Sequence, residues 1–568
     1  MKNTALLLAL AVGLATPAFA QKAARPAPTK SAQLAADFRE TRAAAERGDA
    51  AAQCQLGAMY EDGRGVAKDE AKAATWYRKA ADQGLATSQN NLALMYEKGR
   101  GVAKDEAKAV VLYRKAAEQG EADAQFNLAR MYEDGRGVAK DEAKAADLYR
   151  KAAEQGDSAA QFNLALMYDE GRGVAKDATK AAALYLRAAE QGDADAQYSI
   201  GAMYDNGEGV EEDSTKAVAW YRKSAAQGVA TAQNNLGLMY ANGRGVAKDE
   251  AEAVAWHRKA ADQGLADAQF NLGSMYEKGR GVANDDARAV AWFRKAAEQG
   301  HADAQFNVGV MSAHGRGVTQ NDAQAAAWYQ KASDQGHAEA QNNLGLMYAT
   351  GRGLAKDETR AVALYRKAAE QGDAAAQLNL SDMYDEGQGV AKDDNQAVVW
   401  LRKAADQGFA AAQFNLGLRY EQGRGVSQNN AQAAAWYRKA AEQGRADAQC
   451  NLGTLYDAGQ GVAKDHAQAV AWFRKAAEQG LDIAQNNLGL MYASGRGIAK
   501  DEAKALALFR QAAEQGHADA QYNLGMMHLN GWGVAKDEAQ ALAWFSKAAD
   551  QGNASAQVNL RLLKGFGR

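Results

Sequence analysis

Residues 49–84, DAAAQCQLGAMYEDGRGVAKDEAKAATWYRKAADQG, contain one complete copy of a unit that repeats every 36 residues. Fourteen copies follow one another from Asp49 to Gly552 without an insertion or a deletion. A glutamine marks the period, because it stands at Gln53 and at every 36th position through Gln557. A fixed period of this length predicts a solenoid, in which each short unit buries its apolar face only against its neighbours.

Each unit contains the pattern of two short helices. Apolar residues recur at helical spacing in its first half, at Leu56, Met59 and Tyr60. The glycines at Gly63 and Gly65 recur in all fourteen units, which predicts positive φ angles at a helix end and a tight reversal. Asp69 is placed to cap the second helix. We therefore predict an all-α fold of stacked helix-turn-helix repeats.

The first twenty residues have the layout of a secretory signal. Lys2 precedes an apolar stretch, and Ala18-Phe19-Ala20 predicts cleavage between Ala20 and Gln21. The predicted organisation has five parts: a signal peptide (1–20), a flexible linker (21–31), an N-terminal capping helix (32–48), fourteen repeats (49–552) and a C-terminal capping helix with its tail (553–568). The expected location is outside the cytoplasm, either periplasmic or secreted.

Composition narrows the possible partners. A net charge of −3 gives no basic face able to neutralise phosphates, so we expect no nucleic-acid binding. Beyond residue 20 no apolar run is long enough to span a membrane. Cys54 and Cys450 stand eleven units apart, so we expect two free thiols in a monomer that packing alone stabilises.

A family resemblance rests on residues of the first unit, which are Leu56-Gly57-x-x-Tyr60, Gly63-x-Gly65-Val66, Asp69, Ala73, Trp76-Tyr77 and Ala80-Ala81-x-x-Gly84. The pattern resembles the Sel-one-like repeat (SLR) family, a relative of the tetratricopeptide class, over residues 49–552. The resemblance implies an α/α right-handed superhelical solenoid that holds protein or peptide partners. It also implies similarity to scaffolds of the bacterial envelope and to host-contact factors.

Positions that vary between units are the candidates for binding. In the first helix these are the positions of Ala51, Cys54, Ala58, Glu61 and Asp62, which share one helix face. We call it the first-helix face, and the resemblance implies that it lines the concave groove. Aromatic residues recur at the Cys54 position, and we predict that they anchor a partner: Phe126, Phe162, Tyr198, Phe270, Phe306 and Phe414. The alternative is that these rings are half-buried against a neighbouring first helix.

Carboxylates at the end of the first helix meet the unfavourable end of its dipole. A loop arginine such as Arg64 offers a local partner. Gln388 replaces this arginine beside Asp385 and Glu386, so we predict that these two carboxylates are the least neutralised and would best receive a basic partner segment. An asparagine such as Asn127 recurs in mid-helix and predicts a structural hydrogen bond between helices; the alternative is a ladder of side chains that clamps a peptide.

No motif of nucleophilic, zinc-dependent or nucleotide-dependent chemistry occurs in the chain. His301 and His337 share a repeat position one unit apart, too far from each other to ligate one metal. We expect no catalytic residue, metal or cofactor, and predict a non-enzymatic scaffold that binds protein or peptide partners. An envelope hydrolase acting on β-lactams or peptidoglycan is a disfavoured alternative, and a secreted host-interaction factor is another.

Overall fold

A computed structural model describes residues 30–565, which form helices joined by short loops, with no strand among them. The predicted signal peptide (1–20) and residues 21–29 of the predicted linker lie outside the described residues. The chain divides into two compact units, which meet in sequence between Asp249 and Glu250. The prediction of an all-α solenoid of helix-turn-helix repeats is confirmed.

The described part of the first unit contains twelve helices: α1 Lys30–Glu46, α2 Ala50–Asp62, α3 Glu70–Asp82, α4 Ala86–Lys98, α5 Glu106–Glu118, α6 Ala122–Asp134, α7 Glu142–Glu154, α8 Ser158–Glu170, α9 Ala178–Glu190, α10 Ala194–Asn206, α11 Ser214–Ala226 and α12 Ala230–Asn242. From α2 onward the even-numbered helices are the first helices of repeats. The odd-numbered helices from α3 are the second helices.

The described part of the second unit contains eighteen helices: α13 Glu250–Asp262, α14 Ala266–Lys278, α15 Asp286–Glu298, α16 Ala302–His314, α17 Asp322–Asp334, α18 Ala338–Thr350, α19 Glu358–Glu370, α20 Ala374–Glu386, α21 Asp394–Asp406, α22 Ala410–Gln422, α23 Asn430–Glu442, α24 Ala446–Ala458, α25 His466–Glu478, α26 Asp482–Ser494, α27 Glu502–Glu514, α28 Ala518–Asn530, α29 Glu538–Asp550 and α30 Ala554–Gly565.

Local interactions define both helices of a repeat. The Asp49 side chain accepts a hydrogen bond from the Ala52 amide at 2.7 Å and begins α2. Gly63 ends that helix with a φ of 72°, in the left-handed region where glycine is unstrained. Asp69 caps α3 by accepting from the Lys72 amide at 2.9 Å. Helices of 13 residues are marginal when isolated, so packing between them must supply most of their stability.

A buried glutamine joins each repeat to the one before it. Gln89 in α4 donates from Nε2 to the Ala81 carbonyl oxygen of α3 at 3.2 Å. Its own Oε1 accepts from Nε2 of Gln119, which follows α5, at 2.9 Å. The Gln89 side chain therefore links its own repeat to the preceding one. The same pair of bonds recurs in the second unit, for example around Gln305.

The second loop glycine packs against the backbone of the preceding repeat. Gly101 has a φ of 64°, and a Cβ at this residue would lie 2.1 Å from the Glu70 carbonyl oxygen at the start of α3. A Cβ at Gly137 would likewise lie 2.4 Å from the Glu106 carbonyl. Glycine is thus required for the close approach of two repeats as well as for the φ angle.

Two helices complete the array at its ends. Helix α1 takes the position of a second helix, because Gln53 donates to its Ala45 carbonyl as Gln89 donates to Ala81. It runs from residue 30 to 46, whereas the sequence predicted residues 32–48. Helix α30 takes the position of a first helix, and its Gln557 donates to the Ala549 carbonyl at 3.3 Å. Each helix covers a face that the adjacent repeat would otherwise expose.

We expect that Gly137→Ala lowers the free energy of unfolding more than Gly156→Ala does. Both glycines have positive φ angles, 67° and 96°, so each alanine is strained by about 1–2 kcal/mol. Only the Cβ at Gly137 collides with backbone, since nothing lies within 4 Å of one at Gly156. Urea unfolding of both variants measures the difference, and equal losses would contradict the close-approach argument. Gly137→Val is likewise expected to cost more than Arg136→Ala, which removes ion pairs to the buried Glu97 and to the exposed Asp134 but leaves Glu97 hydrogen-bonded to Tyr113.

A second prediction concerns pH and His257, which occupies a core position where neighbouring repeats carry Tyr221 and Phe293. Burial lowers the pKa of His257 to about 4, against about 6.5 in an unfolded chain. Between these values the unfolded chain binds more protons, so stability is present above pH 6.5 and is lost as the pH falls towards 4. At pH 5 the loss is about 2 kcal/mol.

His257→Phe is expected to remove this part of the pH dependence, because phenylalanine already fills the same position in α15. Urea unfolding at pH 7 and at pH 5 measures the loss of stability in the wild type and in the variant. Groups that titrate in both proteins cancel in the comparison. An equal loss of stability in both would show that His257 is not responsible.

Candidate partner-binding faces

The aromatic residues of the first-helix face are half-buried. Each ring lies against a ring of the second helix in its own repeat, with centroids 5.6–5.9 Å apart; the pairs are Phe126 with Tyr149, Phe162 with Tyr185, Tyr198 with Tyr221, Phe270 with Phe293, Phe306 with Tyr329, and Phe414 with Tyr437. This agrees with the half-buried alternative, although the ring covered lies on a second helix rather than on a neighbouring first helix. These aromatics therefore contribute to the packing inside a repeat.

Some of these rings are covered further by the next repeat. His301 stacks on Phe270 at 4.6 Å between centroids, and His337 stacks on Phe306 at 4.7 Å. Both histidines cap first helices, because Nδ1 of His301 accepts from the Ala304 amide at 3.3 Å and His337 makes the equivalent bond. The shared position of the two histidines thus has a structural explanation in helix capping and ring packing.

The Ala58 position carries the exposed apolar side chains of the same face. Leu238, Leu346 and Leu490 are 37%, 48% and 37% exposed. In these three repeats the Cys54 position holds an asparagine instead of an aromatic ring. Where a partner contacts this face, leucine is the apolar group within its reach.

The recurrent mid-helix asparagine makes hydrogen bonds between repeats. Asn127 Nδ2 donates to Asn90 Oδ1 at 3.1 Å, and Asn379 donates in the same way to Asn342 at 2.8 Å. A third pair joins Asn523 to Asn486. The predicted structural hydrogen bond between helices is confirmed for these repeats.

Loop arginines neutralise carboxylates of two repeats at once. Arg136 Nη2 lies 2.9 Å from Glu97 of the preceding repeat, while its Nε lies 3.2 Å from Asp134 of its own repeat. Glu97 also accepts from the Tyr113 hydroxyl at 2.7 Å. Burial and this carboxylate raise the pKa of Tyr113. The arginine is therefore not only a local partner, since it also ties one repeat to the next.

The prediction that Asp385 is among the least neutralised carboxylates is wrong. Arg419 Nη2 lies 2.6 Å from Asp385 Oδ1, and Arg424 also pairs with that oxygen. Both arginines belong to the following repeat, where Arg419 replaces the usual core methionine and Arg424 is the loop arginine. The missing local arginine at Gln388 is thus replaced from the neighbouring unit. Glu386 is exposed.

Asp382 is a carboxylate that the sequence did not single out. It stands at the Ala58 position, one turn before Asp385 and Glu386. Asp382 is exposed at its surface, yet its pKa is raised to about 6 by desolvation against the packed helices and, after that, by the Glu386 and Asp385 carboxylates, while Arg419 acts in the opposite direction. The raised pKa of Asp382 can be recognised only in the packed structure, because it depends on charged groups from two repeats.

The unusual eighth repeat keeps the ordinary helix geometry. Ser312 is buried in α16 where other repeats carry tyrosine, and its hydroxyl has no hydrogen-bond partner in the structure. His314 is exposed, with Nδ1 2.9 Å from the Val310 carbonyl oxygen. Arg352 of the next repeat donates to the Ala313 carbonyl at 2.7 Å.

Over residues 30–565, no helix is long and apolar enough to cross a membrane. In the same part of the chain, no three His, Cys, Asp or Glu side chains come together as a potential metal site. Both cysteines are free, and burial raises the pKa of Cys450 to about 11.

The Sel1 repeat family model matches the chain fourteen times, at residues 50–85, 86–121, 122–157, 158–193, 194–229, 230–265, 266–301, 302–337, 338–373, 374–409, 410–444, 446–481, 482–517 and 518–553. None of the curated proteins compared with the chain matches it significantly.

Solved structures similar to the chain include two bacterial proteins. The protective antigen c5321 of uropathogenic Escherichia coli strains, which displays an SLR fold, is 41% identical, and the match covers 74% of this chain and 90% of that one with a TM-score of 0.66. A Sel1 repeat protein from Oxalobacter formigenes is 37% identical over 54% of this chain and 89% of that one, with a TM-score of 0.43.

We expect Asp382→Leu to stabilise the protein at pH 7 more than at pH 4. The folded-state pKa of about 6 lies above the unfolded value of about 3.9, so the folded state binds more protons between them and loses stability as the pH rises through 6. Leucine already occupies this repeat position at Leu346, and the substitution removes the carboxyl group that titrates. Urea unfolding at both pH values measures the change, and an identical gain at each would contradict the raised pKa.

Proposed function

The chain belongs to the Sel1 repeat family, and from this membership we propose that it is a non-enzymatic scaffold of the bacterial cell envelope. In this proposal the protein is a monomer that binds protein or peptide partners along the first-helix face. Scaffolding of protein partners is the general role that a repeat array of this class suggests. The location of the binding surface on the concave side is part of the same proposal.

The observation that carries the proposal is the exposure of leucine on first helices that are otherwise well packed. Leu346 is 48% exposed in α18, whereas Leu344, two residues before it, is 1% exposed. A solvent-facing helix side is normally polar, so a leucine that returns at the same place in several repeats needs a reason. Contact with a partner supplies one, because interface energy concentrates in a few buried apolar anchors.

The half-buried aromatics have a different part in this proposal. Phe162 packs its ring on Tyr185 and leaves only part of its surface free, so it contributes to folding and can offer at most one edge to a partner. The same holds for Phe126 and Tyr198 in the first unit. Asp385 is a weaker candidate for contact with a basic segment, since two arginines already neutralise it.

The absence of catalysis is proposed from the sequence and the family together. The chain contains no motif of a serine, cysteine or zinc hydrolase, and Sel1 repeat proteins are generally scaffolds. The enzyme alternative, a hydrolase of β-lactams or peptidoglycan, requires turnover by the purified chain. We expect none, and measurable turnover that survives repurification would favour the alternative.

Export is proposed from residues 1–20, whose charge and apolar run have the layout of a signal peptide. A similar bacterial protein is a protective antigen of uropathogenic Escherichia coli. Mass spectrometry of the protein from periplasm and culture medium tests the proposal. A mature N-terminus at Gln21 is expected, and the fraction that contains it distinguishes a periplasmic scaffold from a secreted host-interaction factor.

We predict that Leu346→Asp weakens binding of a partner without unfolding the protein. A partner is first captured from envelope extract with the wild-type chain and identified, and its affinity for each variant is then measured by calorimetry. Loss of an anchor of this kind weakens binding by about 2 kcal/mol or more. The matched control is Val399→Asp, which changes an equally exposed residue on the second helix α21.

Leu344→Ala provides the folding control, because truncating this buried leucine is expected to cost about 2–5 kcal/mol of stability. The proposal is wrong if Leu346→Asp and Val399→Asp bind the partner equally well. Phe162→Ala and Leu164→Ala test the aromatic residues in the same way. If Phe162→Ala loses as much stability as Leu164→Ala and keeps full affinity, the ring is core only.

A further inference from the structure

One position of the second helix alternates between tryptophan and leucine. Nine repeats carry tryptophan, at Trp76, Trp220, Trp256, Trp292, Trp328, Trp400, Trp436, Trp472 and Trp544. In every one of them the lysine three residues later lies over the indole, with Nζ 3.7–4.3 Å from the ring centroid. The indole beneath a cation is therefore a standard part of this repeat.

Five repeats carry leucine at the same position, namely Leu112, Leu148, Leu184, Leu364 and Leu508. In four of them the smaller side chain lines an open cavity, with volumes of about 230 Å³ at Leu148, 240 Å³ at Leu184, 220 Å³ at Leu364 and 540 Å³ at Leu508. Three of these cavities keep the cation that elsewhere lies over the indole, as Lys151, Arg187 and Lys367. The cation remains where the indole is missing, and at Leu148 it pairs with Asp147, whose Oδ2 lies 2.9 Å from Lys151 Nζ.

The cavity at Leu184 shows the construction. Its walls are the second helices α7 and α9, and its floor is the first helix α8 between them. Leu164 and Tyr168 form an apolar floor, and Arg187 stands at the edge of the cavity, three residues after Leu184. The other two cations of the lining are already paired, Arg150 with Asp147 at 3.1 Å and Lys180 with Asp177 at 2.9 Å. Glu154 is the one carboxylate among the lining residues. The cavity at Leu148 lies between the corresponding helices of the preceding repeat, but two carboxylates line it, Glu118 and Asp147, and Asp147 lies 2.9 Å from Lys151 Nζ.

We propose that the cavities at Leu148 and Leu184 receive aromatic side chains of a protein partner. An aromatic ring inserted there takes the place that tryptophan occupies in nine other repeats, beneath Lys151 or Arg187. Because the two cavities lie in consecutive repeats, one segment with two such side chains can fill both.

Size favours a side chain over a free ligand. The two cavities, of about 230 and 240 Å³, are smaller than the ~300–1,000 Å³ usual for small-molecule sites. They also lie on the second-helix side of the repeats, so this surface is separate from the first-helix face. The inference does not depend on the proposed function, and Leu346→Asp leaves these cavities intact.

The test fills the cavities with the chain's own side chain. Leu148→Trp and Leu184→Trp are combined in the full-length protein, which is expected to keep its fold because nine repeats already carry tryptophan there. The probe is a blocked peptide, Asp-Asp-Trp-Asp, titrated by calorimetry. We expect the double variant to bind two fewer peptides per chain than the wild type, and the matched peptide Asp-Asp-Ala-Asp to bind about thirtyfold more weakly.

The reciprocal variant is Trp220→Leu, which opens a cavity beneath Lys223 and is expected to add a peptide site in the fifth repeat. Arg187→Gln, which copies the natural Gln511 of the cavity at Leu508, is expected to weaken binding at Leu184 without unfolding the chain. Unchanged stoichiometry in the double tryptophan variant overturns the proposal. Equal binding of the alanine peptide also overturns it, and so does preferential binding of a short single-stranded oligonucleotide at the same cavities.

Discussion

Each repeat depends on one buried glutamine that joins three helices. Gln161 in α8 is buried; it donates to the Ala153 carbonyl of α7 and accepts from Gln191 at the end of α9. A buried amide without partners costs about 1–3 kcal/mol, so the three helices must meet in the one arrangement that satisfies it. Within each unit of the chain, this condition sets the distance and register from one repeat to the next. The period of 36 residues follows, because a single insertion would separate the amide from its partners.

This constraint leaves two kinds of position free to vary. On the first helices, the side chains at the Cys54 and Ala58 positions reach beyond the packed interior, and apolar residues appear there as half-buried rings or as exposed leucines. On the second helices, the position that holds Trp220 or Leu184 lies at the boundary between consecutive repeats. A change there alters a cavity without disturbing the glutamine bonds below it. One scaffold can therefore carry two different surfaces.

Charges in this protein act mainly between repeats. Arg136 reaches Glu97, and Arg172 reaches Glu133 at 2.7 Å, so these two loop arginines each neutralise a carboxylate 39 residues earlier in the chain. Such pairs are partly buried. The same carboxylate also accepts a hydrogen bond from a tyrosine hydroxyl, as Glu133 does from Tyr149. Where a repeat lacks its own loop arginine, an arginine of the next repeat neutralises the carboxylate, as Arg424 does for Asp385. Individual substitutions are therefore compensated by neighbouring repeats.

The sequence by itself determined the features that depend on local backbone chemistry. The period, the paired helices, the positive φ angles of Gly63 and Gly65 and the cap at Asp69 could all be predicted, because each is decided by residues within a few positions of one another. The tertiary structure alone decided the burial of Phe162, the partners of Asp385 and the cavity at Leu184. Those features depend on side chains about 20 to 40 residues away, which meet only when helices pack. A periodic sequence shows which positions vary, whereas burial and charge at those positions are set by the neighbouring helices.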